Sequence, residues 1–306
     1  MKTDKLLYFI LFVVIASLNI FLIEIDAKNI RSSAVAGKFY PIEKERLIKM
    51  IDSYLSKADT PEVQGKLLGI ISPHAGYLYS GQVAAYSYKL LKNTKYDVVI
   101  IMGDSHNMAY NFGSVYYNKD NDNYFQTPIG DVRINKALSE ELLKNENAFT
   151  INTKAHAFEH SIEAQLPFLQ QVLEPGFEIV PILFGTRSSR ILESAANSIY
   201  NAIKDKNVLL IASTDLSHYY DYKTAQKMDS AGIEAIKTLD QFVLIDKIIK
   251  NETQFCGLAG VLVEMIVANK MGANNIQVLN MANSGDVLIG DKNKVVGYAA
   301  IAITKK

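Results

Sequence analysis

Five histidines and one cysteine supply most of the metal-binding and proton-transfer chemistry open to this chain, and each stands in a short polar cluster. The clusters are Ser72-Pro73-His74-Ala75-Gly76-Tyr77, Gly103-Asp104-Ser105-His106-Asn107, His156-Ala157-Phe158-Glu159-His160-Ser161-Ile162-Glu163, Ser213-Thr214-Asp215-Leu216-Ser217-His218-Tyr219 and Phe255-Cys256-Gly257. Imidazole exchanges protons near neutral pH, and imidazole and thiolate together are good donors for transition metals. Most of these clusters directly follow an apolar, strand-like run, which is how rigid elements present reactive loops.

His74 and His106 each end a strand-to-loop passage, so they hold equivalent topological places. That equivalence turns two histidines that could each be structural toward ligand or acid-base roles. Asp104 either orients His106 or is a turn residue. Cys256 precedes the apolar run Gly257–Val263, with Thr253 available as a cap. A thiol at such a helix start lies near the positive end of the dipole, which favours the thiolate; the alternative is a buried thiol that only packs. Glu159-His160-Ser161-Ile162-Glu163 places two carboxylates four residues apart on one expected helical face, with His160 off that face. It lacks the paired histidines of the zinc protease motif and reads equally as helix N-terminal chemistry. Asp215 and His218, three apart after a buried strand, suit a base and its orienting partner. Ser217 with His160 or His218 and Asp215 would make a triad on paper, but no Gly-x-Ser-x-Gly elbow supports a serine hydrolase.

These clusters need a scaffold. Strands are expected at Leu67 to Ser72, Asp97 to Met102, Phe177 to Phe184, Val208 to Ala212, Ile276 to Met281 and Val295 to Ile303. Helices are expected at Glu43 to Lys57, Gly81 to Leu91, Lys136 to Asn145, Ser161 to Val172, Ser188 to Lys204, Tyr222 to Leu239, Phe242 to Ile249 and Gly257 to Met271. Val98-Val99-Ile100-Ile101 and Val208-Leu209-Leu210-Ile211 are apolar without alternation, as in strands covered by helices on both faces. The expected fold is therefore a single three-layer α/β domain with a central, mostly parallel or mixed sheet. Ligands of such sheets bind beyond the carboxyl ends of the strands, where His74, His106, Asp215 and His218 fall.

The 32 basic and 32 acidic residues cancel, and no Lys/Arg-rich block is present, which argues against nucleic-acid binding. A single cysteine cannot close an internal disulfide. Lys2 and Lys5 precede an apolar run from Leu6 to Ile23, of a length that fits a signal anchor, while Ile25-Asp26-Ala27 resembles a weak signal-peptide cleavage site. Residues 1–27 are accordingly set apart from a domain at 28–306. The flanking charges place that domain on the extracytoplasmic side, exported or held at a membrane through residues 6–23.

In order, Val35-Ala36-Gly37-Lys38-Phe39-Tyr40-Pro41, Pro73-His74-Ala75-Gly76-Tyr77, Ser105-His106, Thr127-Pro128-Ile129-Gly130, Glu159 through Phe168, Thr214 through Tyr219 and Cys256-Gly257 resemble the Memo family. That family includes the mediator of cell motility and AmmeMemoRadiSam system protein B. The resemblance implies a fold similar to class III extradiol dioxygenases and a metal pocket whose ligands map onto His74, His106 and Cys256. Two imidazoles and a thiolate suit iron or copper and would accept zinc. Asp215 and His218 match a motif lining the same pocket, where they are the expected catalytic pair. Tyr77, Asp104, Glu159, His160 and Glu163 are expected around them or around a substrate. Two features depart from the family: Asp104 stands where many relatives carry proline, and the apolar N-terminal segment is atypical of a family usually regarded as cytosolic.

The function expected from this reading is a metal-binding protein with a two-histidine, one-cysteine iron or copper site, open to a metal-dependent, dioxygenase-like oxidoreductase reaction. A protein that binds a peptide or small molecule without catalysis, an adaptor, is one alternative. A zinc-dependent hydrolase using Asp215 or His218 as base is another.

Overall fold

Side chains of the middle strands are apolar on both faces, and the two faces divide cleanly. Ile100, Met102, Leu210 and Ala212 join one core, while Val99, Ile101, Leu209 and Ile211 join another on the opposite side of the sheet. A sheet of this kind must be covered twice, and helices do so in three layers. The structure, a computed structural model, describes residues 28–306. The apolar run 6–23 and the cleavage-like residues after it lie outside the described residues. Among the described residues no helix is long and apolar enough to cross a membrane.

Four strands form the parallel centre: β2 (Lys66–Ser72), β9 (Val208–Ser213), β3 (Val98–Asp104) and β8 (Glu178–Phe184), in that spatial order. Their register pairs Ser72 with Ser213 and Met102 with Ala212, so three carboxyl ends finish at one level. The margins are antiparallel. β12 (Val295–Lys305) runs against β2, β10 (His218–Tyr220) and β11 (Asn275–Asn283) pair with β12, and β4 (Gly113–Val115) runs against β8, with β7 (Phe149–Ile151) beyond it. The sheet is thus mixed, parallel in its middle. A separate small sheet joins β1 (Asn29–Arg31), β5 (Asn123–Gln126) and β6 (Asp131–Arg133).

One face carries α1 (Lys44–Lys57), α2 (Tyr77–Lys89) and α5 (Leu166–Val172). The other carries α3 (Lys136–Leu143), α6 (Ser189–Ile203) and α9 (Leu258–Lys270), with α7 (Tyr222–Lys237) and α8 (Gln241–Ile249) packed beside them; the short α4 (Thr153–Ala157) follows β7. α6 buries Leu192, Ala195, Ala196, Ile199 and Ile203, a single helical stripe. α9 is different, because every residue from Leu258 to Ala268 is buried between the sheet and α6. That all-round burial explains its unbroken apolar sequence and leaves Glu264 inside the core.

Two helices start elsewhere than the spacing predicts. α2 begins at Tyr77, directly after the His74 loop, rather than at Gly81. The helix expected from Ser161 begins at Leu166, with Pro167 in its first turn, preceded by a 3-10 turn at Glu163–Gln165. The segment carrying Glu159 to Ile162 is therefore irregular, with consequences for both glutamates.

Candidate metal centre

Each reactive residue is delivered by an element that ends just before or begins just after it. His74 lies two residues beyond β2, His106 two beyond β3, and Asp215 two beyond β9, while Cys256 stands two residues before α9. Gly257 permits the last placement, since a Cβ there would come within 2.2 Å of the Ser213 carbonyl oxygen. The start of α9 can thus dock on the end of β9 and bring the thiol to the strand ends. The Gly257 amide donates to Thr214 Oγ1 at 2.9 Å. Thr253, expected as the cap, is not used; its buried hydroxyl has no hydrogen-bond partner.

The Cys256 sulfur lies 3.1 Å from His74 Nε2 and accepts the Asp215 amide at 3.2 Å. One donor atom each from His74, His106 and Cys256 falls within 4.8 Å of the others. The His74 and His106 rings meet edge-on at 5.2 Å between centroids.

The imidazoles are held in defined tautomers. Ser213 Oγ donates to the Ser161 carbonyl at 2.6 Å and accepts from Gln165 Nε2 at 2.7 Å. Its one proton is thereby spent, so His74 Nδ1, 2.9 Å away, must carry the hydrogen. His74 Nε2 is left bare and faces the sulfur. His106 Nδ1 lies 2.9 Å from Glu159 Oε1, a buried carboxylate that can only accept, so the proton of the neutral ring is again on Nδ1 and its Nε2 is the bare nitrogen. A ligand histidine anchored through its other nitrogen to a carboxylate or hydroxyl is the usual support of a metal site.

Glu159 is the hub of this support. It also accepts the amides of His106 at 2.7 Å, His160 at 2.9 Å and Ser161 at 3.0 Å. Burial alone would raise its pKa, but the facing histidines and these amides overcome that and hold it ionised, well below the usual carboxylate range. His160 Nδ1 lies 3.2 Å from the same carboxylate oxygen, and its ring stands 4.6 Å from His106 and 5.1 Å from His74.

Electrostatics in the metal-free pocket favour the neutral forms of His74, His160 and Cys256, while Glu159 and His106 are favoured as an ion pair. Burial, then the neighbouring His160 and His106, pushes His74 far below the ordinary histidine value. Burial also pulls at His106, but Glu159 outweighs it and raises that pKa. His160 is lowered to about 4, chiefly by burial. Cys256 departs from the expectation set by its place before a helix: burial, reinforced by Asp215, pushes the thiol well above its usual value. The dipole of α9 does not prevail. Cys256 and His74 together form a neutral S–H to nitrogen pair, in which the proton occupies the place between two donor atoms that a cation would take.

Asp215 accepts the amides of His74 at 2.8 Å and Ala75 at 3.3 Å through Oδ1, while Oδ2 is 4.0 Å from His74 Nε2. It is buried, and burial lifts it to about 6. His218 stands beside these groups, with one ring nitrogen within 4.8 Å of the Cys256 sulfur and of an Asp215 oxygen. Its Nδ1 donates to the Leu216 carbonyl at 2.8 Å, leaving Nε2 free. A bulge in the β10–β12 pairing at Tyr219, which sits at φ +66°, breaks the strand alternation here. Such bulges turn a side chain toward a site at some cost in backbone strain. A cleft of about 740 Å³ opens over the group, with His106, His218 and Cys256 in its lining and His74 buried behind them.

Other expected residues are placed elsewhere. Tyr77 is packed in the core between Tyr40 and Phe168, with its hydroxyl on the Ala164 carbonyl at 2.7 Å. Glu163 does not share a face with Glu159, because the intervening chain is not helical. It meets Arg31, the amides of Ala34 at 2.7 Å and Val35 at 3.0 Å, and Tyr40 Oη. Asp104 lies on the cleft wall, but its carboxylate accepts the amides of Ala259 at 3.3 Å and Gly260 at 3.2 Å. It caps α9 rather than orienting His106. Ser217 is buried, donates its amide to Asp229 at 2.9 Å and has no histidine nitrogen on its hydroxyl, so the paper triad is not assembled.

Three organising residues are given no role by the sequence: Ser213 and Gln165 stand inside motifs without one, and Arg31 stands in none. Ser213 and Gln165 fix His74, and Gln165 is itself fixed by the Pro73 carbonyl at 3.0 Å and Tyr88 Oη at 2.6 Å. Arg31 donates to the carbonyls of His156 and Glu159 as well as to Glu163, pinning both ends of the segment that presents Glu159 and His160.

Comparison with known proteins agrees with this geometry. The family described as Memo-like protein matches residues 31–302, a span that contains every residue of the centre. A MEMO1 family protein of Methanopyrus kandleri is 36% identical over 285 residues, covering 90% of this chain and 99% of its own. Another from Thermoplasma volcanium is 35% identical, with 90% and 99% covered, and one from Nitrosopumilus maritimus is 33% identical, with 89% and 98% covered. Fold, motif order and near full-length similarity lead to one conclusion: the chain belongs to the Memo-like protein family.

Proposed function

We propose that the cleft is a redox metal centre in which His74, His106 and Cys256 hold iron or copper and a small-molecule ligand enters above them. The observation that carries this is the pair of locked tautomers. His74 and His106 each spend Nδ1 on a fixed acceptor; His74 turns its bare Nε2 to the one thiol of the chain, and a donor atom of His106 lies within 4.8 Å of both. A pocket built only for recognition would gain nothing from bringing a buried imidazole lone pair, a second imidazole at the cleft surface and a thiol together.

The donor set fits the group. Two imidazoles and a sulfur are the ligands that iron, copper and zinc accept, whereas magnesium and calcium demand oxygen. When bound, iron or copper supplies electron transfer and a Lewis-acidic position for a small molecule. The protein's own part is support and proton handling. Glu159 and Ser213 keep the ligand nitrogens bare, and Asp215 fixes the His74 loop through two amides. Asp215 is read as the positioning member of the expected catalytic pair. His218, with Nε2 free on the cleft wall, is read as the group that gives or takes a proton from the ligand. The apolar run 6–23 leads us to place this domain on the extracytoplasmic side, which protease accessibility in intact cells would test.

The test of the centre is elemental analysis by inductively coupled plasma mass spectrometry on anaerobically purified protein, beside His74→Ala and Cys256→Ser. About one equivalent of iron or copper, lost in both variants, is expected. Zinc alone, with hydrolysis indifferent to oxygen, would redirect the reading to a hydrolase. No stoichiometric metal after anaerobic reconstitution would refute the metal centre and leave a cleft for metal-free binding of a small molecule or peptide.

A further inference from the structure

The cleft lining carries a cation that nothing in the metal chemistry uses. Arg187 lines the cleft and is exposed, and its guanidinium forms no ion pair or side-chain hydrogen bond among the described residues. The nearest acidic neighbour in that lining, Asp104, feels its field but gives its oxygens to the amides of Ala259 and Gly260. Arg187 also stands two residues before Ser189, the first residue of α6, so the positive end of that helix adds to the same lining. The same lining has an apolar part made by Phe184, Met228, Ile248 and Phe255.

We propose that the cleft selects a small organic anion: an oxyanion held by Arg187 on an apolar, ring-sized body that lies over Phe184, Met228 and Phe255. The inference deepens the reading of the cleft given above and rests on it. A guanidinium offers a planar fork of donors that matches a carboxylate or phosphate, and with no protein carboxylate on it that fork is open to a ligand. The cleft volume of about 740 Å³ is in the range of small-molecule sites and too small for a folded partner.

The experiment compares benzoate, phenyl phosphate and the neutral isostere benzamide by isothermal titration calorimetry, with metal-loaded and chelator-treated protein, in wild type and Arg187→Gln. Wild type is expected to bind at least one anion about tenfold tighter than benzamide, with the preference falling as salt is raised. Arg187→Gln is expected to bring anion and amide within about twofold, and because the residue is exposed the variant retains the wild-type melting temperature. The better anion tells carboxylate from phosphate. Equal affinity for all three probes, a preference that survives Arg187→Gln, or no anion binding at millimolar concentration would each overturn the proposal. Absence of bound metal together with an Arg187-dependent preference in chelator-treated protein would sink the metal centre and leave this inference standing.

Discussion

Replacing Glu159 by Gln changes one atom and cannot be accommodated in either orientation of the amide. Oε1 accepts His106 Nδ1 and the amides of His160 and Ser161, and Oε2 accepts the His106 amide, so each oxygen faces at least one backbone donor. If the new NH2 takes the Oε2 place, it opposes the His106 amide. If it takes the Oε1 place, it opposes two amides and forces His106 to accept at Nδ1, which moves the ring proton to Nε2 and blocks the metal position. A buried donor left unpaired costs about 1–3 kcal/mol. Loss of an outer hydrogen bond that sets a ligand tautomer lowers metal affinity by about 10–100-fold. Iron(II) affinity measured anaerobically by competition with a chromophoric chelator should therefore fall by at least about tenfold, a change of about 1.4 kcal/mol, while Glu159→Asp, which keeps the charge but shortens the reach, should fall less. Nitrogen NMR of the metal-free variant tells the two orientations apart, with His106 protonated at Nδ1 when the NH2 takes the Oε2 place and at Nε2 when it takes the Oε1 place. Unchanged metal affinity in Glu159→Gln, with His106 carrying its proton at Nε2, would refute the tautomer argument.

Three further outcomes follow from the same physics. Arg31→Met leaves Glu163 buried without its cation, and chemical denaturation should show a loss of about 3–5 kcal/mol; a loss under about 1 kcal/mol would mean that the pair carries no structural weight. A Cβ at Gly69 would lie 2.0 Å from Glu264 Oε1, and neither oxygen of this buried carboxyl has a hydrogen-bond partner. Gly69→Ala should cost roughly 2–3 kcal/mol in wild type and at least about 1 kcal/mol less in a Glu264→Ala background, whereas strict additivity would count against the contact. His156, fully buried with Nε2 on the Ser114 carbonyl at 3.0 Å, is lowered by burial to about 3. Its folded pKa lies below the unfolded one, so its stabilisation is complete above about pH 6.5 and is lost as pH falls toward 3. Between pH 7 and 4.5, wild type should lose about 2.5 kcal/mol more than His156→Gln in urea titrations, and equal losses would show that the buried neutral state is not what acid disrupts.

The long central strands and most helices could be read from the chain because their signals are local and redundant. Val98 to Ile101 and Val208 to Ile211 are apolar on both faces, and the burial stripe of α6 repeats at helical spacing. β4, β5, β6 and β7, at three or four residues each, are too short to show any period. The meeting of His74 and His106 was legible because clusters at strand ends share one edge of the sheet, whereas Cys256, before a helix, joined them only through the family resemblance. Side-chain direction was not. The pairing of Glu159 with Glu163 assumed a helix from Ser161, and the irregular chain before Leu166 sends one to His106 and the other to Arg31. Position before a helix suggested an activated thiol, but the dipole acts over a turn while desolvation acts on the whole group, and at Cys256 desolvation prevails.

What was least legible is also what decides the chemistry. The tautomer of His74 depends on Ser213, whose proton is committed by Ser161 and whose lone pair is shared with Gln165, 48 residues away in the chain. The tautomer of His106 depends on Glu159, 53 residues away. Both supports come from the segment between Glu159 and Gln165, and Arg31 holds that segment through the carbonyls of His156 and Glu159 and the carboxylate of Glu163. A local opening of this one stretch would therefore release both imidazoles together. The two bare nitrogens form or disappear as a unit, so damage to Arg31, which touches neither ligand, should weaken metal binding by the same route as damage to Glu159.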